Sequence, residues 1–146
     1  MRWPTGKRTR DERGVSAVEF ALTLIPLLMV IAGIVNFGLV FAQQLSLDNA
    51  VRAGARAGVV DTGVNPTTVT TSQWTSTAIA RNLTSGFGVT YPGAVGATCV
   101  GSTFGQSMVV RGTVVSKFLI PWPLPGSVVP KQVTLSSQAE FQCEYQ

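Results

Sequence analysis

A single carboxylate, Glu19, lies at the start of a long apolar stretch and is the residue whose type and position most suggest a chemical role. It follows Gly14 by five positions, and the 23 residues of 20–42 include no formally charged side chain. A charge at the centre of a bilayer costs roughly 2.5–3.5 kcal/mol, and less near an end, where the side chain can reach the interface. Taken alone, Glu19 is explained as an interfacial carboxylate of this kind.

The two cysteines of the sequence are the other residues that could take part in chemistry. Cys99 and Cys143 are 44 positions apart, which is not the spacing of a zinc site. In a chain that enters a membrane we expect them to form a disulfide outside the cytoplasm, the alternative being two buried free thiols. Such a bond closes a loop of about 45 residues and stabilises the fold by about 4 kcal/mol.

Composition argues against catalysis and against nucleic-acid binding. The sequence contains no histidine, and its acids are too scattered for a carboxylate pair or a metal site. We therefore expect no enzyme activity, no cofactor and no metal. The net charge of +4 comes mostly from the first 13 residues, which hold five basic and two acidic side chains. The remainder has no clustered basic surface, so nucleic acid is not an expected partner.

The uncharged stretch is long enough to cross a membrane. As a helix, residues 20–42 rise roughly 34 Å, against about 30 Å of hydrocarbon. The basic cluster before them predicts a cytoplasmic N-terminus and an extracytoplasmic remainder. A cleaved signal peptide is the alternative, with Ala42 as the small residue at its cleavage site and a secreted domain that begins at Gln43.

The rest of the chain predicts an α+β domain. Residues 43–60 continue the helix and carry a stripe of small side chains, which we expect to pack on the protein's own sheet. A short second helix is predicted over residues 72–83, capped by Thr71 or Ser72, with Trp74, Ala78 and Ile79 facing inward. Antiparallel strands are predicted over residues 108–120 and 133–145, with Cys99 in or beside another strand. In the second of these strands apolar and polar residues alternate, so Leu135, Ala139, Phe141 and Cys143 are expected on its dry face. A rigid proline-rich loop, residues 121–130, leaves Trp122 partly exposed.

The residues around Glu19 add a second explanation for it. The segment RGVSAVEF, residues 13–20, resembles the processing site of type IV prepilins. The resemblance implies cleavage by a prepilin peptidase between Gly14 and Val15, which makes Val15 position one and Glu19 position five. The new amine of Val15 would then pair with Glu19 of a neighbouring subunit, so that neither charge stays bare in an apolar bundle.

A longer stretch is similar to the TadE-like family, pseudopilins of the Tad, or Flp pilus, system. The similarity rests on GVSAVEFAL, Pro26, residues 33–38, Gln43 and NAVRAGAR at residues 49–56. The family often has an acid where Asn36 stands and a base where Leu39 stands, so a second charge pair inside the membrane is not supported.

The resemblance implies four segments: a basic leader (residues 1–14), a transmembrane helix (15–42), its extracytoplasmic extension (43–60) and a pilin-like α/β head (61–146). The expected function is that of a minor pilin in assembly of a Tad/Flp-type pilus for adhesion or secretion. The expected partners are prepilin peptidase, other pilins or pseudopilins, the Tad inner-membrane platform and the lipid bilayer. A signal-anchored or secreted binding domain that does not polymerise is the alternative.

Overall fold

The computed structural model describes residues 11–60, 63–122 and 128–143, with side chains from residue 14 onward. Most of the predicted leader therefore lies outside the described residues. The described chain is α+β, as the sequence predicted. Its elements are α1 (Asp11–Val59), α2 (Pro66–Thr77), a 3-10 turn (Arg81–Leu83), β1 (Thr84–Thr90), β2 (Ser107–Lys117) and β3 (Gln132–Gln142). Contacts divide the chain into two units, residues 1–35 and 36–146.

The first unit is described only as helix, the N-terminal part of α1. Most of its large apolar side chains are exposed in the described part of the chain, and Leu22 and Ile34 are 66% and 67% exposed. Pro26 lies inside α1 without ending it. Membrane helices tolerate such a proline because neighbouring groups can satisfy the freed backbone carbonyl.

The second unit is built on a three-stranded antiparallel sheet in the order β1-β2-β3. β2 and β3 pair over 11 residues without a register shift, from Ser107 opposite Gln142 to Lys117 opposite Gln132. The pairing of β1 with β2 shifts between Ser85 and Gly88. Alternate residues of β2 and β3 point to the inner face of the sheet, and in β3 the residues between them are mostly polar and exposed. In β2 the outer face is partly covered as well, since Val109 is buried beside Gly93.

β3 largely keeps the predicted alternation. Leu135, Ala139 and Cys143 are buried, as expected. Phe141 was predicted on the same dry face but is 39% exposed, since it borders an open groove beside Arg52 and Arg56 of α1. Both strands are also shorter than predicted: β2 ends at Lys117, before the proline-rich segment, and β3 ends at Gln142.

The second half of α1 lies across the inner face of the sheet. Leu47 and Val51 are fully buried and contact Gly112 of β2, where the absence of a side chain lets the helix approach. The small-residue stripe packs as predicted against the protein itself: Gly58 contacts Met108 of β2, and Gly54 contacts Thr70 of α2. α1 ends at Val59, one residue from the prediction.

α2 begins earlier than predicted and ends earlier too. Its N-cap is Asn65, whose side chain accepts a hydrogen bond of 2.8 Å from the Thr67 N–H, and Pro66 occupies the first turn. Asn65, and not Thr71 or Ser72, is therefore the cap, and a capping residue followed by proline is a typical helix start. Trp74 is buried against Phe87 of β1, as expected, whereas Ile79 follows the helix and is 53% exposed.

Cys99 and Cys143 form the predicted disulfide, with their Cα atoms 5.6 Å apart. Cys99 lies in an irregular loop rather than in a strand, and its N–H donates to the carbonyl of Gly58 near the end of α1. Cys143 follows β3 directly, and its N–H donates to the carbonyl of Gln106. The bond therefore ties the long loop before β2 to the end of the sheet.

The close approach of α1 to β2 predicts a specific cost for a methyl group at Gly112. An alanine Cβ there would lie 2.6 Å from Val51 Cγ2 and 2.9 Å from Leu47 Cδ1. We expect Gly112→Ala to lower the free energy of unfolding by about 1–3 kcal/mol, measured by denaturant titration of the full chain in detergent micelles. Gly88→Ala is the matched control, because its nearest neighbour, Thr113 Oγ1, would be 3.5 Å away. Equal losses in both variants would contradict this packing.

Candidate processing and assembly site

The three residues predicted to form the processing site lie on one stretch of α1. Gly14, Val15 and Glu19 are all helical and exposed, and a side chain at Gly14 would meet nothing within 4 Å. Val15 and Glu19 are four residues apart, so both project from the same side of the helix. This arrangement leaves the Gly14–Val15 bond and the Glu19 side chain accessible to another molecule.

The Glu19 carboxylate has no hydrogen-bond or ion-pair partner among the residues that the structure describes. The nearby polar side chain of Thr23 differs in this respect. Its hydroxyl donates to the carbonyls of Glu19 and Phe20, at 3.1 and 3.0 Å, within the same helix. Thr23 is thus satisfied inside an apolar environment, whereas Glu19 needs water, a headgroup or a second chain.

The helix that follows Glu19 has a mainly apolar surface. The most apolar 18-residue stretch of α1 has a mean hydropathy of 2.5, and only 6% of that stretch is buried. Covering such surface gains about 25 cal/mol per Å². α1 is long and apolar enough to cross a membrane, which is consistent with a single-pass membrane protein. The side chains that lipid or other helices would cover include Val18, Phe20, Leu22, Ile25, Leu27, Leu28, Val30 and Ile34.

Asn36 is the first residue of α1 to bond to the sheet domain. Its side chain is 1% exposed, donates through Nδ2 to the Ile120 carbonyl at 2.9 Å, and accepts through Oδ1 from the Ile120 N–H at 3.0 Å. The side-chain amide thus bonds to both the N–H and the carbonyl of Ile120. An aspartate at this position would set a carboxylate against the Ile120 carbonyl oxygen, so an amide suits this contact better than an acid does.

Gln43 makes a second buried amide contact two turns later. It is fully buried, and its Nε2 donates to the carbonyls of Ile79 and Ala80 at 3.2 and 3.4 Å. Its Oε1 accepts from the hydroxyl of Ser116 in β2. One side chain therefore joins α1 to the turn after α2 and to the central strand. On the adjacent side of α1, Gln44 donates to the Ser136 carbonyl of β3 at 3.1 Å.

Sequence reasoning missed the role of these amides. Asn36 and Gln43 were visible as polar exceptions in or near an apolar stretch, and that isolation was the available signal. Their partners are backbone groups of irregular segments and the Ser116 hydroxyl of β2, up to 84 residues away, which no local pattern specifies. By contrast, the two cysteines and the Gly14–Glu19 spacing could be singled out directly. Within the described residues, no cluster of three or more histidine, cysteine or acidic side chains is suited to a metal ion.

The described chain is thus an α+β protein whose N-terminal helix is long and apolar enough to cross a membrane. Comparison with known families is more specific: residues 14–56 match the family model described as TadE-like protein, which confirms the resemblance over this stretch. The match suggests a protein associated with a Tad pilus system and a membrane. Searches of curated proteins and of solved structures gave no match.

The paired hydrogen bonds of Asn36 predict different effects for two substitutions. Asn36→Leu removes both bonds to Ile120 and should lower the free energy of unfolding by about 1–3 kcal/mol, since buried polar groups lose their partners. It should also accelerate hydrogen exchange of the Ile120 N–H. Asn36→Asp keeps an acceptor for the Ile120 N–H but sets a carboxylate against the Ile120 carbonyl, so it should also be destabilising, yet accelerate this exchange less than Asn36→Leu does. Hydrogen exchange of the full chain in micelles, read out by mass spectrometry, provides the measurement.

Asn49→Leu is the control for this pair of variants, because Asn49 lies on the same helix but is exposed. It should leave the exchange of Ile120 unchanged. If Asn36→Leu also leaves that exchange unchanged, the Asn36 contact is not what protects this backbone.

Proposed function

We propose that this protein is a TadE-like pseudopilin, a minor pilin that is cut after Gly14 by a prepilin peptidase and takes part in assembly of a Tad/Flp-type pilus. It is a single-pass protein of the cytoplasmic membrane, with a cytoplasmic N-terminus and an extracytoplasmic C-terminal domain. Its partners are the peptidase, other pilins or pseudopilins and the Tad inner-membrane assembly platform. Its role is structural rather than catalytic.

The observation that carries this proposal is the coincidence of the family match with the processing sequence. The match to TadE-like proteins begins at Gly14 itself, the residue after which a prepilin peptidase would cut. The Glu19 carboxylate then lies five positions into the mature chain, exposed and with no partner among the described residues. An exposed acid beside a large uncovered apolar surface fits a group whose partner is another subunit.

The physical basis of assembly is charge pairing in a low-dielectric environment. Cleavage removes the basic leader and creates an α-amino group at Val15. When two subunits meet in lipid, that amine and the neighbour's Glu19 neutralise each other, and each charge avoids being left alone in hydrocarbon. Apolar helices gain little from hydrophobicity among lipid tails, so a polar pair also fixes how far one helix slides along another.

N-terminal sequencing of the protein from cells with a complete Tad system is the direct test. We expect a mature chain that begins at Val15. A chain that begins at Gln43 would instead support a secreted binding domain, and an intact N-terminus would support a signal-anchored domain that does not polymerise. Either of these results overturns the pseudopilin proposal.

Glu19→Val separates membrane insertion from assembly. We expect the variant to insert normally, because a charge has been removed from an apolar helix, but to enter the pilus assembly poorly, because the amine of the neighbouring subunit lacks its partner. Membrane fractionation reads out insertion, and co-purification with the assembly platform and surface piliation read out assembly.

Thr23→Val is the matched control for Glu19→Val. Thr23 is a polar, exposed residue one turn away, but its hydroxyl bonds only to carbonyls of its own helix. It should leave both insertion and assembly unchanged. Normal assembly by Glu19→Val would exclude the proposed charge pair.

A further inference from the structure

We propose that the described parts of the connection between β2 and β3 form a second membrane contact, which rests in the outer surface of the bilayer. The contact consists of residues 118–122 and 128–130, called the apolar rim below. The proposal rests on the proposed function, since it requires α1 to cross a membrane. It adds that the sheet domain is not merely tethered by α1 but is held against the lipid surface by its own side chains.

The apolar rim is fixed at a defined level of α1. Ile120 is bonded through both backbone groups to Asn36, and the Phe118 N–H donates to the Lys131 carbonyl at 3.3 Å, which closes the base of the connection. Asn36 directly follows residues 15–35, which as a helix rise about 32 Å, close to the thickness of the hydrocarbon core. The rim is therefore attached near the outer end of the proposed transmembrane helix, residues 15–42, whose last residues extend beyond the thickness of the hydrocarbon core.

The side chains of the rim suit an interface with lipid better than one with water. Leu119 and Val128 are 51% and 66% exposed, and Trp122 is half-buried. Tryptophan is enriched at the level of lipid headgroups because its ring is apolar and its N–H can bond to polar groups. Pro121 and Pro130 are exposed and have no N–H, which lowers the cost of placing irregular backbone near hydrocarbon.

Two lysines border this apolar segment. Residues 118–130 include no charged side chain, and Lys117 and Lys131 stand immediately on either side, both exposed. A lysine can lay its alkyl stem along an apolar surface while its ammonium group reaches a lipid phosphate. Each such lysine near an anionic surface contributes to attraction of the segment to the bilayer. The two lysines therefore favour contact of the rim with a lipid surface over contact with a purely apolar protein surface.

The free side of α1 is apolar at the same level. Phe37, Phe41 and Leu45 are 69%, 65% and 48% exposed, although they belong to the second unit and Asn36 on the other side already contacts the sheet domain. The end of the second unit near Asn36 thus presents apolar side chains from both the helix and the rim. If this end faced water, both sets would remain uncovered.

The test uses the full chain reconstituted in vesicles of phosphatidylcholine and phosphatidylglycerol, with an environment-sensitive fluorophore at one introduced cysteine. The probe positions are Leu119→Cys and Val128→Cys in the rim, labelled without reductant so that the native disulfide stays intact. Leu27→Cys reports the membrane-crossing stretch. Val64→Cys is the matched control, since it is 48% exposed like Leu119, but follows the end of α1, about 35 Å of helix beyond Asn36.

We expect the fluorophores at residues 119 and 128 to be blue-shifted and strongly quenched by lipids brominated near the headgroup. The fluorophore at residue 64 should emit as in water and be quenched weakly. The double variant Lys117→Glu/Lys131→Glu should reduce the quenching at residue 119 in these anionic vesicles, and added salt should reduce it in the unmodified background.

Two negative results have different meanings. If the probe at residue 27 is in lipid while those at residues 119 and 128 behave like the one at residue 64, the rim does not contact the membrane and this inference is wrong, whereas the membrane-crossing helix stands. If residue 27 also reports water, the proposed function fails as well. If the fluorophores at residues 119 and 128 are shielded from water but are not quenched by brominated lipid, the rim contacts a protein partner, and the assignment to lipid is wrong.

Discussion

The burial of one face of α1 against the sheet is the interaction on which the rest of residues 36–146 depends. A three-stranded sheet with one apolar face needs a cover to be stable in isolation, and α1 supplies most of it. Leu47 and Val51 pack where Gly112 leaves room for them, and Met108 and the small residues of the helix close the far end. The disulfide adds to this by restricting the unfolded chain, since it closes a long loop.

The same helix has two kinds of surface, and the change between them occurs at Asn36. Before it, most apolar side chains of the described helix are exposed; after it, one side of the helix is packed against protein. A helix can change its surroundings in this way because its backbone hydrogen bonds are internal and independent of the solvent. Only the side chains must match each environment, and after Asn36 they do so on one side of the helix, while Phe37 and Phe41 stay exposed on the other.

Buried amides solve a problem that this architecture creates. The irregular segments after α2 and β2 leave backbone N–H and C=O groups that no helix or strand pairs. Asn36 and Gln43 satisfy such groups from α1, and an amide can do this because it offers both a donor and an acceptor without bringing a charge into the core. The contacts are therefore structural, whereas the exposed acid Glu19 remains available for a contact between chains.

The sequence by itself determined the features that depend on local composition and spacing. These are the apolar helix, the Gly14–Glu19 arrangement, the alternating strands and the cysteine pair, because each is written in consecutive residues or in a countable separation. The tertiary structure alone decided where α2 starts, that Cys99 lies in a loop, that Phe141 escapes cover, and which backbone groups Asn36 and Gln43 bind. Those outcomes depend on segments brought together from distant parts of the chain, and packing can override a weak local preference. The Thr- and Ser-rich sequence of α2 has little intrinsic tendency to form a helix, so its cap and its burial against β1 set its limits.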